Sequence, residues 1–419
     1  MRELAARVCL LWLVMLAAPA QAQTPDFNRG WQFQRSDAPF DTAVFDPART
    51  EIVDLPHTAR LEPRIVNDQW QGTAFYRKTF TAPKAWRGQT VYLRFEAAMN
   101  VAKVSINGIE VITHLGGWLP FTLDLTPYLR LGGTNEILVR LDNRDSPITG
   151  PKPLAELDFN SYGGLYRGVS LMVKPPVHVT DEMLADNVAG GGLFVTYPLV
   201  KGDQARIAIA ANLRNASARR AFVTVRHRLY DGRELVGESR SEQELSPLAK
   251  SDDRQEIRLS APKLWSPRSP HLYRLVTEVT DDRGLVDRSE RQIGVRQFAF
   301  TADGRLLING EPSFLRGVNR HQEYPFVGYA LSPQADYRDA KLIKEAGFDY
   351  VRLSHYPHSP AFMSAADTLG LVLIDAIPGW QFYNPDPAFE AQVLQTCRDM
   401  IRRDRNHPSV LAWECSLNE

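Results

Sequence analysis

Cysteine is scarce in this chain: Cys9, Cys397 and Cys415 are the only three in 419 residues. Charge of one sign is also missing, since 49 Lys and Arg balance 49 Asp and Glu. A balance of that kind gives no electrostatic footprint for nucleic acid or an acidic membrane surface. Beyond the N-terminus no apolar run reaches the length of a bilayer span. The phosphate-cradling pattern G-x-x-x-x-G-K-[ST] and the dinucleotide glycine pattern are both absent, and Gly190-Gly191-Gly192 reads as a loop. No cofactor is expected. What remains is the composition of a soluble globular protein, 44% hydrophobic and 23% charged, long enough for about two to four domains.

Residues 1–22 stand apart. Arg2 and Arg7 precede an apolar run from Val8 to Ala18, and Ala20-Gln21-Ala22 is a small-x-small cleavage site. This pattern predicts a secretory signal peptide and a secreted product, periplasmic or extracellular, with no membrane attachment after cleavage. Cys9 leaves with it. An oxidising compartment would permit a disulfide between the other two cysteines. Cys415 falls just after the apolar run Val410 to Trp413 and Cys397 on a helix face, so the expectation is two free buried thiols.

Residues 23–175 read as all-β. Val91-Tyr92-Leu93-Arg94-Phe95 and Val101 to Ile106 alternate in polarity, and Asn107-Gly108 is a tight-hairpin dipeptide. Strands at this spacing predict a sandwich or jelly roll. Trp118, Pro120 and Phe121 read as core and loop packing, with an aromatic binding platform as the alternative. Pro175-Pro176 marks a boundary. Residues 176–295 carry a second β pattern, including Ala205 to Ile209 and Leu272 to Val276, at the spacing of an immunoglobulin-like sandwich.

From residue 296 the grammar changes to alternating strand and helix. Phe314 to Val318, Tyr350 to Leu353, Leu371 to Asp375 and Val410 to Trp413 read as parallel strands. Between them lie three helices. The first carries Tyr337, Ala340, Ile343 and Ala346 on one face. The second opens on Ser359-Pro360 and closes on Gly370, and the third is striped by Phe389, Val393, Cys397, Met400 and Ile401. A (β/α)8 TIM barrel needs eight strands, so residues 296–419 are expected to form its first half. Such a half leaves parallel edges open, and the sequence therefore looks cut.

The last stretch, R-D-R-N-H-P-S-V-x-x-W-…-N-E over Arg403 to Glu419, resembles the acid/base signature of glycoside hydrolase family 2, the β-galactosidases, β-glucuronidases and β-mannosidases. Further likeness lies in V-x-I-N-G-x-x-V around Asn107, in D-x-x-x-Y-x-G-x-x-R-x-V from Asp158, and in G-V-N-R-H and R-x-S-H-Y-P. The resemblance implies that Glu419 is the acid/base and that Asn418 binds the sugar's 2-hydroxyl. It implies that Asp158 reaches from the first sandwich into the barrel mouth, that His321 and His355 bind ring hydroxyls, and that Arg352 supports the catalytic carboxylates. Trp380, with Phe382 and Tyr383, would line the sugar cleft or the core.

The family usually has three residues between the Trp and the Asn; here there are four, Glu414 to Leu417, and a bulge at the strand end would absorb the extra one. The magnesium-binding Glu/His pair that galactosidases carry after the third strand is replaced by Asp375 to Trp380, so no metal is expected. The nucleophile belongs to a seventh strand, beyond residue 419. A retaining β-glycosidase needs both carboxyls, so this chain alone is expected to be inactive. β-Galactosidase is the leading specificity; β-glucuronidase, β-mannosidase and a non-catalytic carbohydrate-binding protein are the alternatives. A carbohydrate is the one partner implied, and a homo-oligomer is left open.

Overall fold

The computed structural model describes residues 26–62, 64–379 and 381–416. The signal peptide and the roles of Trp380, Asn418 and Glu419 lie outside the described residues. The first unit is a sandwich. Six antiparallel strands form one sheet, with Trp31–Ser36, Thr73–Thr81 and Thr134–Asp142 at its centre; Phe121–Asp124, Thr90–Phe95 and Val169–Lys174 form the other. Along Thr134–Asp142 the alternate residues Asn135, Ile137, Val139 and Leu141 are buried, the two-residue period of a half-buried strand. The hairpin turn falls on Asn107 and Gly108, at φ 53° and 83°. Both conformations are left-handed, as a two-residue turn between right-twisted strands requires.

The second unit packs two four-stranded sheets. Gln204–Asn215 has Val177–Val179 and Leu193–Val200 along one edge and Lys250–Ser260 along the other. The opposing sheet runs Glu234–Leu245, Ala221–Asp231, Tyr273–Asp281, Gly284–Ile293. Ile207, Ile209, Leu213, Val225, Leu275 and Val279 fill the space between them.

The third unit is the start of a barrel. Its parallel strands are β1 (Gly317–Arg320), β2 (Tyr350–Leu353), β3 (Val372–Ala376) and β4 (Val410–Glu414), hydrogen-bonded in that order. They are joined by α1 (Pro333–Glu345), α2 (Pro360–Leu369) and α3 (Pro387–Asp404). Each helix has Pro in its first turn and an N-cap side chain, Ser332, Ser359 or Asp386, accepting from a backbone N–H. Gly370 closes α2 at φ 74°.

Three expectations are corrected. The first strand begins at Gly317, not Phe314, because the preceding three-stranded sheet holds residues 311–313: the Ser313 N–H donates to the Leu306 carbonyl at 2.9 Å. The inward face of α1 is Asp336, Ala340 and Ile343, while Tyr337 and Ala346 are exposed. An ion pair sets that rotation, since Asp336 accepts from the buried Arg320 at 2.8 Å and from the Ser359 hydroxyl at 2.5 Å. Within the described residues the register of β4 shifts at its start, opposite Leu373 and Ile374, and the bulge expected before Asn418 falls on a stretch that runs outside them. Finally, Cys397 and Cys415 are bonded as a disulfide, with Cα atoms 5.5 Å apart. Cys397 lies on the inward stripe of α3, and that stripe faces the end of β4.

The stretch Arg403 to Ser409 couples the units. Asn406 accepts from the Val195 N–H at 2.8 Å and donates to the Leu193 carbonyl at 2.8 Å, so its amide stands beside the second sandwich's edge strand as a neighbouring peptide would. Arg405 donates to the Gly191 carbonyl at 2.5 Å and lies over the Phe194 ring at 4.5 Å. His407 pairs with Asp367 at 2.5 Å, and Asp367 also accepts from the Ser409 N–H at 3.1 Å. Asn406→Ala leaves a buried N–H and a buried carbonyl without partners. It is expected to lower stability by about 2–4 kcal/mol. A urea midpoint indistinguishable from the unaltered protein's would contradict that clamp.

Candidate functional site

The C-terminal ends of the parallel strands carry the polar residues, as in barrels generally. His321 directly follows β1 and His355 lies two residues after β2. Their rings meet edge to face with centroids 5.6 Å apart. A loop of the first sandwich closes on them: the Phe159 ring lies 5.1 Å from that of His321 and 6.3 Å from that of His355. Asp158, next to it, is exposed, and its negative charge acts on both imidazoles. Three residues far apart in sequence therefore share one rim.

Buried contacts hold that loop in place. The Arg167 guanidinium donates to the Trp118 carbonyl at 2.7 Å, and to Gln322 Oε1 and the Pro357 carbonyl at 2.9 Å each. It thereby ties the sandwich to the loops after β1 and β2. Tyr329 donates its hydroxyl to the Asn160 carbonyl at 2.6 Å, and the Asn160 amide donates to Glu323 at 3.0 Å. Trp118 is 2% exposed and stacks on Tyr356 at 5.6 Å; Phe121 is 5% exposed and stacks on Phe95. Both are packing residues, as read from the sequence. Phe382 packs edge-on against Phe389, and Tyr383 is 75% exposed.

Burial drives the electrostatics of the rim. It pushes His321 down to about 4, with His355 adding to the effect, and lowers His355 as well, helped by the Arg352 charge. Both imidazoles are thus neutral at pH 7, each with one donor and one acceptor nitrogen, and Nδ1 of His321 faces the Tyr356 hydroxyl at 3.3 Å. Arg352 does not point a free charge at the rim. Its guanidinium forks onto Glu414 at 2.6 and 3.0 Å, and this partner raises its pKa. Arg320, beside His321, is likewise paired with Asp336 and Asp339, at 2.8 and 2.6 Å.

Glu414 is a residue that sequence reasoning passed over. Its signal was a carboxylate at the very end of a barrel strand, one residue after Trp413. Phe159 and Arg167 were also missed as site residues, although both fall inside the D-x-x-x-Y-x-G-x-x-R motif. Asp158, His321, Arg352 and His355 are brought to the same end of the sheet. Among the described residues no group of three or more His, Cys, Asp or Glu could hold a metal ion. A cavity of about 600 Å³ lies away from this rim, among Arg94, Glu182, Arg291, Asp367 and Asp404 where the three units meet.

Comparison with known proteins gives the same three parts. Residues 18–175 match "Glycosyl hydrolases family 2, sugar binding domain", residues 191–296 match "Glycosyl hydrolases family 2", and residues 300–419 match "Glycosyl hydrolases family 2, TIM barrel domain". The chain is 31% identical to a β-galactosidase of Thermoanaerobacter pseudethanolicus, over 94% of this chain and 51% of that protein. It is 28% identical to a β-glucuronidase of Formosa agariphila, over 94% of this chain and 42% of that one. Among solved structures, a β-glucuronidase of Bacteroides uniformis superposes with a TM-score of 0.85 at 31% identity, covering 93% of this chain and 46% of that one. The chain thus spans about half the length of the curated relatives it matches. Three consecutive family matches, and the rim built across the first and third of them, establish that the chain belongs to glycosyl hydrolase family 2.

Proposed function

We propose that this chain supplies the sugar-binding rim and the acid/base carboxylate of a retaining β-glycosidase, with β-galactosides as the first substrate class. The observation that carries the reading is the meeting of Asp158 with His321 and His355. A pyranose presents hydroxyls that both donate and accept. Two neutral imidazoles and one carboxylate are a matching set. In the proposed reaction Glu419 protonates the leaving glycosidic oxygen while a second carboxylate attacks the anomeric carbon. Glu419 then takes a proton from water as that water displaces the enzyme carboxylate. The attacking carboxylate is proposed to come from a later barrel strand, so residues 1–419 by themselves bind sugar without cleaving it. The disulfide is in keeping with export to an oxidising compartment, periplasmic or extracellular.

A neutral sugar is preferred because Arg320 and Arg352, the guanidinium groups flanking the histidines, already have carboxylate partners. The β-glucuronide reading is kept because relatives of that name match over as much of the chain. Calorimetric titration of the 419-residue protein with a β-galactoside and a β-glucuronide tests both. The galactoside is expected to bind more tightly, and Asp158→Asn to weaken it by about 1.5–3 kcal/mol, the worth of a hydrogen bond to a charged group. Binding of neither sugar, or release of a chromogenic aglycone by residues 1–419 alone, would sink the reading.

A further inference from the structure

We propose that the Cys397–Cys415 disulfide is a positioning element of the sugar-cleaving site, and that the site works fully only with the bond closed. The inference rests on the function proposed above, with Glu419 as acid/base. The last pair of the parallel ladder on β4 is Glu414 with Ala376, and the Glu414 carbonyl accepts from the Ile377 N–H at 3.0 Å. One residue later the disulfide takes over as the tether. Its other end is a firm anchor. Cys397 sits with Val393 and Met400 on the face of α3 that packs against Leu119, Ile377 and Trp413. Gln392, one turn earlier, donates to the Leu115 carbonyl of the first sandwich at 3.0 Å, and Arg402 pairs with Asp399 and Asp186 at 2.7 Å each.

The tether holds the chain between two functional groups. Glu414, immediately before it, carries the fork on Arg352. Glu419 follows four residues after it. A general acid works only within hydrogen-bond reach of the oxygen it protonates, so slack in the chain leading to it falls on proton transfer first. A bond serving stability alone would weaken all reactions of the protein alike.

Opening the bond takes two electrons and two protons from a dithiol, which leaves as its own cyclic disulfide. The test uses the chain continued through the remainder of the barrel. Its substrates are two β-galactosides, or two β-glucuronides if those are what it cleaves: a methyl glycoside, whose leaving oxygen must be protonated, and a 2,4-dinitrophenyl glycoside, whose oxygen leaves unaided. Dithiothreitol, or Cys397→Ala with Cys415→Ala, is expected to lower kcat/KM, which reports the first step alone, about tenfold more for the methyl glycoside than for the dinitrophenyl one. KM for the methyl glycoside should stay nearly constant, and dithiothreitol should have no further effect on the double variant. Thermal midpoints on the same samples identify a variant that has unfolded, in which case the dithiothreitol arm on the unaltered protein decides. Equal loss on both substrates, or no loss, overturns the positioning role. No turnover of any glycoside by the oxidised protein overturns the proposed function and this inference with it.

Discussion

Asp404→Asn is expected to destabilise the protein by about 3–5 kcal/mol, the usual consequence of stripping one partner from a buried ion pair. Arg403 and Asp404 are adjacent in sequence at the end of α3, and their side chains are 3% and 1% exposed. The guanidinium forks onto both carboxylate oxygens, at 2.5 to 2.9 Å. Asn keeps the shape but removes the charge that Arg403 answers. The contrasting substitution is Asp375→Asn. Asp375 is fully buried on β3, and neither of its side-chain oxygens has a well-formed partner. Burial, and then the charge of neighbouring Asp404, push its pKa well above the usual carboxylate range. A proton on Asp375 supplies the donor that two facing carboxylates lack.

The sign of the pH effect follows. The folded state keeps a proton that the unfolded chain releases above about 3.8. Asp375 therefore stabilises fully at and below that pH, and its contribution is lost as pH rises through the folded value. Asn carries a permanent N–H donor and has no proton to lose. Urea midpoints at several pH values should show Asp375→Asn gaining on the unaltered protein as pH rises above 4. A difference that does not change with pH would rule out the shared proton.

Glu419→Gln, in the chain continued through the barrel, should lower kcat/KM on a methyl β-glycoside by about a hundredfold to ten-thousandfold, the usual worth of a general acid. A 2,4-dinitrophenyl glycoside needs no acid for the first step and should instead accumulate as glycosyl-enzyme. Azide, an anion that attacks without a general base, should then restore turnover. If the variant cleaves both substrates within about tenfold of the unaltered protein, Glu419 is not the acid/base. This prediction and the preceding one are independent. Asp404→Asn acts on the foundation beneath β3 and β4, whereas Glu419→Gln acts on the chemistry and should leave the urea midpoint unchanged.

The barrel grammar was legible because it is local. Pro at the helix starts, Gly370 after α2, and apolar runs of parallel-strand length are read from neighbours in sequence. The rim residues Asp158, His321, Arg352 and His355 were legible through motif resemblance. What escaped depends on partners distant in the chain. The rotation of α1 is set by Arg320, thirteen residues before the helix begins. The disulfide joins residues 18 apart across a helix-to-strand connection, and a cysteine on an inward stripe looks the same whether bonded or free. Glu414 gains its meaning only beside Arg352, two strands away. The R-D-R-N-H-P-S signature was read as a marker of catalysis. In the fold, its residues before β4 chiefly clamp the barrel to the second sandwich.

That clamp bears on how the protein avoids sticking to itself. Leu193–Val200 is the outermost strand of its sheet, and an uncovered outer strand is a template for pairing with another molecule. The carboxamide of Asn406 occupies the N–H of Val195 and the carbonyl of Leu193, so a foreign strand finds that stretch already taken. Damage to this loop should therefore surface first as clumping during expression.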